Sequence, residues 1–131
     1  MNGVVHFEIP ASDPDKLSEF YSQLFGWQIN KMDMGGGNAY YMASTTETGE
    51  DGMPKTAGAI NGGIYARSSE AERPINYVDV PDIDAFMKKA EGLGAKVLAH
   101  KMPIPGMGWS AQMIDPQGNP YGLYQNDPTA A

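Results

Sequence analysis

Apolar positions along this chain repeat with two periods, and each change of period marks a boundary between elements. Residues 3–9 (Gly-Val-Val-His-Phe-Glu-Ile) read as a strand with Val4, Val5, Phe7 and Ile9 mostly on the buried side. Ser12-Asp13-Pro14-Asp15 then supplies a helix start: a capping side chain, a proline in the first turn, and acid against the positive end of the dipole. Leu17, Phe20, Tyr21 and Leu24 fall at i, i+3, i+4 and i+7, which predicts that one face of this helix packs inward. Gly26 ends it. Strands are predicted at 27–30, 39–43 and 60–65, with a glycine turn at 35–37 and a polar loop over 45–58. The paired Gly62-Gly63 is unusual inside a strand.

The same order then recurs. Residues 75–80 read as a strand, Asp82 caps a helix carrying Ile83, Phe86, Met87 and Ala90 on one face, and Gly92 and Gly94 close it. Strands follow at 96–100, 109–114 and 121–125, the last two separated by the turn Asp115-Pro116-Gln117-Gly118-Asn119-Pro120. Gly63-Ile64-Tyr65 even matches Gly122-Leu123-Tyr124. A β-α-β-β-β unit present twice, over about 1–68 and 73–127, is a specific organisation. It predicts an α+β fold within a single domain spanning 1–131.

Composition narrows the function classes. The chain has 131 residues, 41% of them hydrophobic and 19% charged, enough for one domain with a core. A net charge of −7 and nine scattered basic residues argue against a nucleic-acid partner. No apolar run approaches the roughly 20 residues of a membrane span, and no basic start precedes an apolar stretch. The absence of cysteine removes disulfides, thiolate metal ligands and thiol nucleophiles. A cytoplasmic protein is the expectation.

His6 on the first strand, the Asp13-Pro14 helix start, Phe20-Tyr21 and Leu24-Phe25-Gly26 resemble the opening module of the vicinal oxygen chelate superfamily, which includes glyoxalases, bleomycin-resistance proteins and dioxygenases. Val80-Pro81-Asp82-Ile83-Asp84, Gly92-Leu93-Gly94-Ala95 and the Asp115–Asn119 turn resemble its second module. Opening on His-Phe-Glu-Ile-Pro and closing on Pro-Gly-Met-Gly and Asp-Pro-x-Gly-Asn, the chain is most similar to the small bacterial glyoxalase-like subgroup. The resemblance implies a cupped eight-stranded mixed sheet with helices outside, a ligand pocket inside the cup, and a homodimer.

The resemblance also implies four positions for a divalent metal, on the first and last strand of each module. They fall on His6, Gly63 (or Gly62 with a shift of one), Ile75 and Gly122. One imidazole cannot hold such an ion against water, so no metal and no other cofactor is expected. Glu8 shares a strand face with His6, and Tyr77 and Asp79 share the parity of Ile75, so the alternative is a divalent metal held outside the usual four positions. His6 reads either as a hydrogen-bonded pocket histidine or, with Glu8, as an acid–base pair.

The glycines at 62, 63 and 122 either open room for an organic ligand or mark a bulge or close approach. Tyr41, Gly63, Tyr77, Trp109, Gly122 and Tyr124 are the candidate ligand contacts, with Tyr65 a further stacking surface. Residues 102–108 read as an apolar loop, either a lid, an oligomer contact or plain surface. The expected function is binding of a small organic ligand without the usual metal; the alternative is a lyase, isomerase or dioxygenase-like enzyme using His6 and Glu8. One scaffold hosts many chemistries, so the fold does not choose between them.

Overall fold

A computed structural model describes residues 1–35 and 37–131; Gly36, part of the expected glycine turn, lies outside the described residues. The described residues form eight strands and two helices, β1 (Val4–Ala11), α1 (Pro14–Phe25), β2 (Gln28–Gly35), β3 (Asn38–Ser44), β4 (Asn61–Ala66), β5 (Ile75–Asp79), α2 (Ile83–Gly92), β6 (Lys96–Ile104), β7 (Gly108–Ile114) and β8 (Pro120–Asn126). The α+β class and the doubled β-α-β-β-β order are as expected. The contacts divide the chain into two compact units, His6–Pro74 and Met1–Val5 with Ile75–Ala131. The first residues join the second unit because Asp79 N–H donates to Gly3 O at 2.9 Å and Asn2 Nδ2 to Asp79 O at 3.1 Å.

Each module has the same internal pairing. In the first the strand order is β2-β3-β4-β1, antiparallel except for the parallel β1–β4 pair. In the second it is β6-β7-β8-β5, antiparallel except for parallel β5–β8. β4 and β8, the strands that carry the repeated Gly-x-Tyr, therefore lie inside their modules. The helices begin as the sequence predicts. Asp13 Oδ1 accepts from Lys16 N at 3.1 Å and Asp82 Oδ1 from Ala85 N at 3.1 Å, while Gly26 ends α1 in the left-handed conformation, φ 73°. In the 115–120 turn, Asp115 Oδ1 accepts from Gln117 N and Asn119 N, and these N–H groups hold its carboxyl below the usual range.

Helix and sheet pack through alternate strand positions. In the second module Val80, Ile83, Met87, Ala111, Met113 and Leu123 form a core beneath α2. The first module's core is thinner: Ala11, Tyr41 and Ile64, with Ile9, Leu17 and Tyr21 partly buried around them. Here the helical period overstates burial. Phe20 and Leu24 remain 54% and 58% exposed, and α1 contains no buried residue. Phe7, Tyr21, Phe25 and Trp27 instead cluster, with the Trp27 ring 4.9 Å from Tyr21 and 5.6 Å from Phe7. Val4 is likewise exposed.

Two loop assignments also change. β2 continues through Gly35, and β6 runs through Met102-Pro103-Ile104, so part of the expected 102–108 loop is strand paired with β7. Both extensions come from ladder bonds to a neighbouring hairpin strand, which local composition does not encode. Among the described residues, no helix is long and apolar enough to cross a membrane.

The interior position of Gly122 generates a test. A Cβ there would run into the ring of Tyr77, which is 6% exposed and cannot swing away into solvent. Gly122→Ala should cost about 1–3 kcal/mol, read as a lower midpoint in urea unfolding, and Tyr77→Ala in the same chain should make the alanine better tolerated.

Candidate functional site

Register sorts the side chains of each module into a helix-side face and an opposite face. In the first module Glu8 pairs with Gly63, which pairs with Met42; His6 pairs with Asn61, and Tyr40 with Tyr65. These residues share the face away from α1. Gly62, one position along, pairs with Phe7 on the helix side. The adjacent glycines thus serve opposite faces. A Cβ on Gly62 would meet the Phe7 ring at 2.5 Å, and one on Gly63 would fall inside the phenol of Tyr40.

That second contact builds the site. Tyr40 stands on β3, Gly63 on the intervening β4 and His6 on β1. With no side chain at 63, the phenol lies across β4 and its Oη comes 2.9 Å from His6 Nε2. The imidazole tautomer decides which atom donates. Glu8 Oε2 lies 3.9 Å from the same Nε2, and the two side chains keep 29% (His6) and 18% (Glu8) of their exposure. Burial lowers the His6 pKa from 6.5, and the Glu8 carboxylate offsets this only in part. His6 is therefore mainly neutral at pH 7 and can accept or donate at either nitrogen. Beside them the Tyr65 hydroxyl is pushed up to about 12, first by burial and then by the Glu72 carboxylate, so it stays protonated.

The second module repeats the device in the other direction. Tyr77 on β5 and Gln112 on β7 both pair with Gly122 on the β8 between them. The Tyr77 ring crosses Gly122, and Gln112 Nε2 donates to Tyr77 Oη at 2.8 Å. Tyr124 is two residues beyond Gly122 on the same face; its hydroxyl donates to Met107 O at 3.1 Å, and its pKa is raised by burial and then by Asp79.

Of the expected contacts, Gly63, Gly122, Tyr77 and Tyr124 therefore occupy the faces away from the helices, together with His6 and Glu8. Two do not. Tyr41 is 6% exposed in the core against α1, and its hydroxyl donates to Asp15 Oδ1 at 2.6 Å. Trp109 packs against the core below α2, donates from Nε1 to Asp127 Oδ2 at 3.0 Å, and carries Lys101 Nζ 4.5 Å above its ring. Alternation along a strand makes this a one-residue matter: Tyr40, not Tyr41, meets His6. Sequence reading missed Tyr40 and Gln112, because choosing between Tyr40 and Tyr41 requires the β3–β4 register. The glycines also do not leave open room, since tyrosine rings of their own modules fill it.

Two β-α-β-β-β modules are the organisation that the vicinal oxygen chelate resemblance implies, and comparison with known proteins places the chain in a family. The chain belongs to the family described as a glyoxalase-like domain, whose model matches residues 5–124. It is 31% identical over 121 residues to the protein named "Putative glyoxylase CFP32" of Mycobacterium tuberculosis, and equally to that of Mycobacterium bovis. The match takes in 90% of this chain but 43% of those proteins, so the chain spans less than half the length of the curated relatives it matches. The fold also resembles methylmalonyl-CoA epimerase. The Streptomyces coelicolor enzyme in complex with 2-nitronate-propionyl-CoA gives a TM-score of 0.66 at 16% identity, covering 100% of this chain and 99% of that one. The Mycobacterium tuberculosis enzyme gives 0.64 at 17%, covering 96% and 89%.

The superfamily's usual metal can be tested against the residues present. Of its four positions only His6 carries a donor; Ile75 is a buried hydrocarbon, and tyrosine rings lie over Gly63 and Gly122. Among the described residues no three or more His, Asp or Glu gather as a metal-holding group. The donor set does not fit a divalent ion in that arrangement.

The lowered His6 pKa has a sign that can be checked. Unfolding returns the imidazole to 6.5, so the unfolded chain binds more protons, and stability falls as pH drops from 6.5 through the folded pKa. NMR titration should place the His6 midpoint below 6.5. Glu8→Gln should lower it further by removing the anion that favours the charged form.

Proposed function

We propose that the chain binds a small organic ligand on the polar strand faces away from its helices, without the divalent metal usual in its superfamily. The observation that carries this is the His6–Tyr40 hydrogen bond across Gly63, with Glu8 beside it. It presents a neutral imidazole, a phenol and a carboxylate together, a set suited to ligand oxygen and nitrogen atoms. Tyr77 and Gln112 offer a second hydrogen-bonding pair in the other module. The acyl-CoA ligands named for structural neighbours make a carbonyl-bearing ligand the first class to try.

A proton-transfer enzyme, of the lyase or isomerase kind, is the second reading. The lowered pKa of His6 favours it, because an imidazole neutral at pH 7 is competent as a base. His6 would take the proton at its imidazole and return it to the product from the imidazolium, while the Tyr40 hydroxyl keeps its own proton and stays hydrogen-bonded to Nε2. We also propose a cytoplasmic homodimer, supported by the exposed apolar Leu24 and Phe25 of α1.

Elemental analysis and native mass spectrometry of the purified chain test the main reading. Substoichiometric Zn, Ni, Mn and Fe together with a retained organic mass, lost in His6→Ala and weakened in Tyr40→Phe, is the expected result. One transition metal per chain, removed by His6→Ala, would refute it. Light scattering at micromolar concentration should show twice the chain mass.

A further inference from the structure

A separate cavity of about 690 Å³ opens on the first module, at the carboxyl ends of the parallel β1–β4 pair. β1 supplies Ile9, Pro10 and Ala11, α1 supplies its first two turns, and the segment after β4 supplies Arg67 and 72–74. None of His6, Glu8 or Tyr40 lines it. Its size suits a small molecule, and its place matches the general preference of ligands for the carboxyl ends of parallel strands.

The lining divides by chemistry. Leu17, Phe20 and Tyr21 give it an apolar wall, and Phe20 is 54% exposed there although the helical period assigns it to the interior. Lys16, Arg67 and Arg73 bring three cations, against two acids, Asp13 and Glu72. Asp13 accepts the Lys16 N–H that caps α1; Glu72 Oε1 accepts from the Ser68 hydroxyl and N–H, while its Oε2 is buried without a hydrogen-bond partner.

Arg67 is held in place but not satisfied. Its backbone N–H donates to Ala11 O at 2.9 Å, and its Nη2 to Pro10 O at 3.3 Å. Among the described residues its ion pair is with Glu70 at 3.7 Å, a side chain 90% exposed; its charge also acts on the Glu72 carboxylate, and its Nε is buried without a hydrogen-bond partner. A buried donor of a charged group left unpaired is costly, and an anion is the acceptor that would relieve it.

We propose that this cavity is a second binding site, for a small carboxylate with an aromatic or branched-alkyl body. The carboxylate takes the Arg67 guanidinium, supported by Lys16 and Arg73, and the body lies on Leu17, Phe20 and Tyr21. Phenylacetate has this shape, and phenylacetamide is its neutral counterpart.

Titration followed by amide NMR decides the matter. Phenylacetate should bind saturably in the millimolar range, with shifts centred on Ala11, Leu17 and Arg67 and none centred on His6. Phenylacetamide should bind at least about tenfold more weakly, the loss of one charge-assisted pair. Arg67→Met should weaken phenylacetate by about tenfold or more; Lys16→Met and Phe20→Ala, at exposed positions, should each weaken it severalfold with the fold intact. His6→Ala should leave binding unchanged. Absence of saturable binding, equal affinity for the amide, shifts centred on His6, or indifference to Lys16→Met and Phe20→Ala would each overturn the proposal.

Discussion

In each module a glycine on the inner strand lets a tyrosine lie flat across the sheet, and the polar faces depend on this. A side chain at Gly63 or Gly122 would occupy the volume that the phenols of Tyr40 and Tyr77 now fill. Because the ring spans one strand, its hydroxyl reaches the strand beyond: His6 in one module, Gln112 in the other. A strand glycine ordinarily weakens a sheet by loss of side-chain packing. Here the packing is returned by an aromatic ring of large area, and a hydrogen bond fixes its far end.

Gly63 and Gly122 stand at two of the positions that the resemblance assigns to a metal; neither supplies a donor atom, and a tyrosine ring lies over each. Beside Gly63, burial holds the His6 imidazole toward its neutral form. The Glu8 carboxylate pulls in the opposite direction, toward the charged imidazole, and burial is the larger effect. A histidine balanced this way can answer a ligand's donor or its acceptor, which suits both binding and proton transfer.

The modules share topology but not the weight of their cores. Six residues are buried under or within α2, whereas α1 covers its sheet through half-buried aromatics and leaves Phe20, Leu24 and Phe25 largely in solvent. Large exposed hydrophobics on one helix usually mark a surface with a further use. Phe20 belongs to the cavity beside Arg67; Leu24 and Phe25 lie further along the helix.

The order of elements, the two helix caps, the 115–120 turn and the doubling of the β-α-β-β-β unit were legible in the sequence, because each follows from local chemistry repeated along the chain. His6 and Glu8 were legible for the same reason, since two residues on one strand must share a face. Tyr40 and Gln112 were not, because a one-residue difference in register decides whether Tyr40 or Tyr41 meets His6, and only the β3–β4 pairing sets that register. The same holds for Trp109, which a stacking role suggested for a pocket and tertiary packing placed against the core below α2. Whether a strand glycine leaves space or yields it to a ring is likewise beyond local sequence, since the ring comes from a different strand.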